Sequence, residues 1–317
     1  MYFIERNPLP DTAFLAGSVA EPSGTEAVWD VGTYAVGQEV IRPALHRVFR
    51  CAVARTATNT LPPELDTTAW ADMRPTRRYQ PFGPQVRADG KLVYQNQPLQ
   101  STTGDIEYRL QQRYANAVAI FGAKGATVRV QVYDQPGGTL KYDKVLGIKS
   151  PATSYWTYAY GRRSLSDRIL VHGLPIFPNA EVRITITGVG SQLRAVSQIE
   201  VGKLRYLPGV DFGGVQYGIT RIPKAFTTRK TEADGSTSVL IYGTSYDMSG
   251  TIALSGTRED AALTQLRGLL GRGVAYAPTL AAGYEQSLLF GILKSADVAR
   301  DAVNLSSVRF EIEGLPT

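Results

Sequence analysis

Two histidines, one cysteine and scattered carboxylates are all that this chain offers for polar catalysis. His46 lies between Leu45 and Arg47, and His172 ends the apolar run Ile169-Leu170-Val171. Neither has an acidic or nucleophilic neighbour within a motif, so both read as structural or surface residues. Cys51 is alone, which rules out an intrachain disulfide and a cysteine-based zinc site. Its alternation with Arg50 in Val48-Phe49-Arg50-Cys51-Ala52-Val53 reads as a buried packing thiol. The carboxylate pairs have plain readings: Glu259-Asp260 opens a helix, and Glu311 and Glu313 share a strand face. Gly188-Val189-Gly190-Ser191-Gln192-Leu193 fails as a dinucleotide fingerprint because Leu193 stands at the third glycine. Gly243-Thr244-Ser245-Tyr246-Asp247 breaks the nucleophile elbow at its last position and reads as a turn between strands. The chain therefore reads as a non-enzyme with no cofactor and no metal.

The aromatic residues point to binding instead. Sugar rings have apolar faces that lie on Trp and Tyr, while polar neighbours take the hydroxyls. Trp29, Tyr34 and Trp70 are the candidate stacking rings, with Arg77 and Arg78 as hydrogen-bond donors. Trp70 is expected to be the exposed ring, because it follows the Pro62-Pro63 turn. A second cluster, Tyr155, Trp156, Tyr158 and Tyr160 with Arg162 and Arg163, is expected on a strand, with Tyr155 facing away from the other rings. The competing reading for both groups is core packing or subunit contact, since small modules need rings and interfaces favour Tyr and Arg.

The elements that must position these residues read as mainly β. Residues 1–24, rich in Pro, Gly and Ser, are expected to be an extended arm that docks on a neighbour. Residues 25–85 form a small module held by aromatic rings, and a linker follows. Residues 104–206 alternate with period two, most cleanly in Thr127-Val128-Arg129-Val130-Gln131-Val132-Tyr133 and in Glu181-Val182-Arg183-Ile184-Thr185-Ile186-Thr187. Turn signals at Asp134 to Gly138, Pro175 to Pro178 and Gly188 to Gly190 separate the strands, which predicts a jelly-roll-like β-sandwich. Residues 207–317 predict a strand-rich domain with one packing helix over Thr257 to Gly271. Thr257 and Asp260 would make its capping box, and Leu263, Leu266 and Leu270 its apolar face.

Composition narrows the partners. Thirty-four basic and 28 acidic residues in 317 give a net +6, too dilute to predict nucleic-acid binding. No apolar run approaches the roughly 18 residues that cross a bilayer. The N-terminus lacks a basic start before an apolar stretch, so synthesis in a cytoplasm without a signal peptide is expected.

Residues 28–83 carry a resemblance. Tyr34-Ala35-Val36-Gly37-Gln38-Glu39-Val40, Phe49-Arg50-Cys51-Ala52 and Trp70 are similar to the small carbohydrate-binding modules attached to chitinases. Met73-Arg74-Pro75-Thr76-Arg77-Arg78-Tyr79-Gln80-Pro81-Phe82-Gly83 resembles the Gly-Pro-Thr-Asn-Arg-Trp-x-x-Phe-Asp signature of tailed-bacteriophage structural proteins of the tail tip or collar. Arg77, Tyr79 and Gly83 stand here where that signature has Asn, Trp and Asp. The resemblance implies a structural virion protein of the tail tip, baseplate or collar, made in the host cytoplasm. Its partners would be other virion proteins, copies of itself in a ring, and a bacterial surface glycan. The rival readings are a free carbohydrate-binding protein or an accessory module of a carbohydrate-active enzyme, and then a glycosidase whose carboxylates lie far apart in sequence.

Overall fold

The computed structural model describes the chain except residues 25, 57–60, 88, 95–97, 103, 149–153, 157–159, 161–166, 208–214, 217, 232–235, 282–283 and 303. It is mainly β, with one α-helix of length among the described residues. In chain order, β1 is Tyr2–Arg6, and β2 (Glu39–Arg42), β3 (Arg47–Cys51) and β4 (Trp70–Pro75) form the small module. β5 (Gln85–Val86) and β6 (Leu92–Val93) make a hairpin, and β7 is Leu99–Ser101. The sandwich region supplies β8 (Ile106–Gln112), β9 (Ala117–Phe121), β10 (Thr127–Tyr133) and β11 (Leu140–Gly147). It continues with β12 (Arg168–His172), β13 (Ala180–Thr187), β14 (Arg194–Val196) and β15 (Gln198–Tyr206). The C-terminal region holds β16 (Thr220–Thr231), β17 (Thr237–Ser255), α1 (Glu259–Leu269), β18 (Gly273–Ala277), β19 (Leu289–Ala302) and β20 (Leu305–Gly314).

The expected sandwich is a jelly roll, but its first strand comes from the N-terminus. One sheet runs β12-β9-β15-β1 and the other β11-β10-β13-β8, all antiparallel. Counted one to eight along the chain, these strands fall in the orders 1-8-3-6 and 2-7-4-5, which is jelly-roll topology. The period-two strands put Ile106, Tyr108 and Leu110 of β8 opposite Val118, Ile120 and Val201 of the facing sheet. Each such side chain, fully buried, stabilises the fold by about 1.5–3 kcal/mol.

Residues 2–6 are therefore not a free arm. β1 pairs with β15 along its whole length and with β18 on its other side. That second pairing covers what would be the open edge of the jelly roll. It also joins the C-terminal strands to the same sheet, in the continuous order β12-β9-β15-β1-β18-β19-β20-β17-β16. The boundary expected at residue 206 thus separates two cores but not two sheets. The second core contains Met1 and Phe3 together with Leu254, Leu266, Leu293 and Phe310.

Two local expectations change. α1 buries Ala262, Leu266 and Leu269, while Leu270 is exposed. Leu270 has already left the helix, in extended backbone beside Leu293, and Gly271 takes the left-handed conformation that stops the turn. The Thr257 capping box is not made, because the Thr257 hydroxyl pairs with Ser255. Residues Gly243 to Asp247 are not a turn but the middle of β17, which takes up a register shift opposite Phe226 and Thr227.

Candidate functional site

The module's three strands leave room for few aliphatic side chains, and rings fill the gap. Val40, Phe49, Cys51, Ala69 and Trp70 form its core, with Trp29 and Tyr34 packed half-buried against them. Trp70 is only 4% exposed and meets Tyr34 edge-on at 5.1 Å. It is therefore a core ring and not the exposed stacking ring that the sequence led us to expect. The Pro62-Pro63 turn folds back so that the Trp70 backbone N–H donates to the Asp66 backbone O, which fixes the main chain with the ring turned into the core. The Tyr34 hydroxyl donates to Asp30 O at 2.6 Å, and the Arg42 guanidinium lies 5.0 Å over Trp29. Ion pairs reinforce the small core: Arg47 with Asp72, Arg55 with Asp66 and Arg42 with Glu64.

Arg77 and Arg78 do not join these rings. Arg77 donates to Gln100 O at 2.7 Å, and its backbone N–H donates to Glu26. Arg78 donates to Val19 O at 3.0 Å and lies over the Phe14 ring. Both guanidiniums fasten the module to the N-terminal segment and to β7. The rest of the signature segment does the same. Thr76, Tyr79, Gln80 and Phe82 are buried, and Phe82 enters the jelly-roll core edge-on to Tyr108 at 5.0 Å. Pro81 O accepts the Ile199 N–H, and the Tyr108 hydroxyl donates to Arg78 O.

At this joint the structure assembles a cluster that sequence spacing does not reveal. His46 occupies a left-handed turn after β2, with its ring stacked at 4.0 Å on Tyr79. Its Nδ1 stands 3.1 Å from Glu21 and its Nε2 3.6 Å from Asp11. The Tyr79 hydroxyl donates to Asp11 at 2.6 Å and the Thr76 hydroxyl to Glu21 at 2.5 Å. Burial lowers the His46 pKa, but the hydrogen bond to Glu21 and the fields of Glu21 and Asp11 outweigh it, so the net direction is up. Burial and the bond to Asp11 push the Tyr79 phenol above its ordinary value.

Asp11, Glu21 and His46 bring their ligating atoms within 4.8 Å of one another, the one such group among the described residues. The donors are already engaged, and Arg78, 4.0 Å from Glu21, supplies a cation there. As a catalytic group the imidazole is poorly placed, since both ring nitrogens face carboxylates and the Thr76 and Tyr79 hydroxyls give their protons to Glu21 and Asp11. The arrangement is a cross-link between three segments. Asp11 and Glu21 were missed in the sequence because they lie in the segment read as an arm, 25 or more residues from His46.

The second aromatic cluster is helical at residues 155–156 rather than extended, and the Tyr160 N–H donates to Trp156 O. A strand would alternate the rings, whereas Tyr155, Trp156 and Tyr160 are all exposed, at 74%, 70% and 78%. Trp156 lies 5.4 Å from Tyr160 and 6.1 Å from Tyr155. Tyr158, Arg162 and Arg163 lie outside the described residues. No helix among the described residues is long and apolar enough to cross a membrane. Compared with known proteins, the chain matches no family model, no curated protein and no solved structure.

Proposed function

We propose that this chain is a non-enzymatic structural subunit of a tailed-phage virion, at the tail tip, baseplate or collar, working as a cyclic homo-oligomer among other virion proteins. The observation that carries the reading is the β16–β17 ribbon. Residues 227–231 and 237–241 pair with each other and have no third strand beside them among the described residues. Val239 and Leu240 on this ribbon are more than half exposed. A two-stranded ribbon alone is marginal in water, so one that also exposes Val239 and Leu240 among basic and hydroxyl side chains is suited to meet a neighbouring subunit. The signature segment supports the same reading, since its polar and aromatic side chains join the small module to the N-terminal segment, to β7 and to the jelly-roll core. Mass spectrometry of purified particles should find the chain in multiple copies, and particles that lack it overturn the proposal.

Host-surface glycan attachment belongs to this proposal as a second role, and free carbohydrate binding is the alternative. The exposed Tyr155, Trp156 and Tyr160 rings favour a glycan contact there more than at Trp70. A glycan array on the parent chain and on a Tyr155→Ala, Trp156→Ala, Tyr160→Ala variant decides it: signal lost in the variant supports the contact, and equal signal refutes it.

A further inference from the structure

The nine-stranded sheet splits between two of its central strands. The ladder between β1 and β18 runs for two residue pairs only, Tyr2 with Ala277 and Phe3 with Tyr276. Each strand then keeps its outer neighbour, β1 with β15 as far as Arg6 and β18 with β19 from Gly273. The pairs that the register would continue to, Glu5 opposite Val274 and Arg6 opposite Gly273, are not made. A cleft of about 700 Å³ fills the split, within the range of ligand-binding clefts. Phe3, Ile4, Leu92 and Tyr94 give it apolar walls, and one face of α1 closes it with Gln265 and Leu269.

Three features of the cleft fit an extended partner. The first is the strand edge itself: the Gly273 N–H, which a ladder partner would otherwise take, donates to the Tyr94 hydroxyl at 2.6 Å. Gly273 has no side chain, and a Cβ there would come within 2.3 Å of the Tyr94 ring. A side-chain hydroxyl thus stands where a strand carbonyl would otherwise be. The second is the Gln265 Oε1, a buried acceptor with no hydrogen-bond donor among the described residues. An unsatisfied buried acceptor costs stability that a bound N–H recovers. The third is charge. Arg205 pairs with Glu5 at 2.9 Å and Arg6 stands 3.8 Å from the buried Glu200, whereas Arg272 at the rim makes no ion pair among the described residues.

We propose that this split is a binding slot for an extended, acidic peptide segment of a partner protein. The segment lies along the free edge of β1, gives a main-chain N–H to Gln265 Oε1, and sets a carboxylate against Arg272. Edge pairing supplies affinity without demanding a particular sequence, and the positive rim selects an acidic segment over a basic one.

The test uses the full chain and a fluorescein-labelled hexapeptide of alternating Glu and Val, read by fluorescence anisotropy. Saturable binding is expected, and Arg272→Glu, a surface change that leaves the melting temperature in place, should weaken it at least about tenfold. Gln265→Leu and alternate backbone N-methylation of the peptide should each weaken it as well, because both remove main-chain contacts. Absence of saturable binding overturns the proposal, as does equal binding by Arg272→Glu or by a Lys-Val counterpart. Unchanged affinity of the N-methylated peptide also overturns it, by showing a charged groove without strand pairing.

Discussion

Replacing His46 with Asn removes the imidazolium from between Glu21 and Asp11, and Asn tolerates the left-handed backbone that His46 adopts. The contact to Glu21, whose side chain is 3% exposed, is a charge-assisted hydrogen bond of about 1.5–3 kcal/mol. Stacking on Tyr79 adds about 0.5–1.5 kcal/mol. The pair with Asp11 adds little, since that carboxylate is largely exposed. The variant should therefore lose roughly 2–4 kcal/mol at pH 5. The folded His46 pKa lies above its ordinary 6.5, so the charge-linked part is fully present below that pH. It is lost as pH rises through the folded value, leaving the stacking remainder above it. Urea unfolding at pH 5, 7 and 9, followed by tryptophan fluorescence, measures this, and Trp29 and Trp70 both report on the module. The difference between parent and variant cancels the other titrating groups. A difference that is constant with pH, or that grows as pH rises, refutes the cross-link.

Other perturbations separate the joints from the cores. Burial pushes the Glu181 carboxyl up, but Arg109, the Gly137 N–H and Arg183 together hold it at about 2 instead of 4.5. Its contribution, about 3 kcal/mol, is present above pH 4.5 and lost as pH falls towards 2, so Glu181→Gln should lower stability at pH 7 and flatten the acid limb of the unfolding curve. Phe82→Ala should cost about 3–5 kcal/mol, because its fully buried ring fills the jelly-roll core beside Phe14 and Tyr108; a melting temperature close to the parent's would mean that the signature segment does not hold the domains together. Trp70→Ala should cost a similar amount and disturb the module's fold, whereas the exposed rings at Tyr155, Trp156 and Tyr160 should be removable with almost no change in thermal stability.

Period-two patterning made β10 and β13 legible, because one face of each strand packs into the sandwich and the other stays polar. The jelly roll was legible as a class for the same reason. Its first strand was not, because Tyr2–Arg6 is five residues long and the next strand of the roll begins at Ile106. Only long-range pairing with β15 identifies it. The cluster at His46 was hidden in the same way, since its carboxylates arrive from a segment that has no periodicity of its own. Trp70 was misplaced because a Pro-Pro turn marks a bend without telling which way the following ring faces. The conformation at Tyr155 and Trp156 was misread because alternating aromatic residues fit a strand and a helical turn equally well.

The claim that this chain is a virion subunit is tested most directly by labelling intact particles with gold-conjugated antibody raised against it. The proposal predicts label confined to one place on the tail, at its tip or collar, with several gold particles per virion. Virions that remain unlabelled, beside free chain in the same lysate that labels strongly, would contradict it.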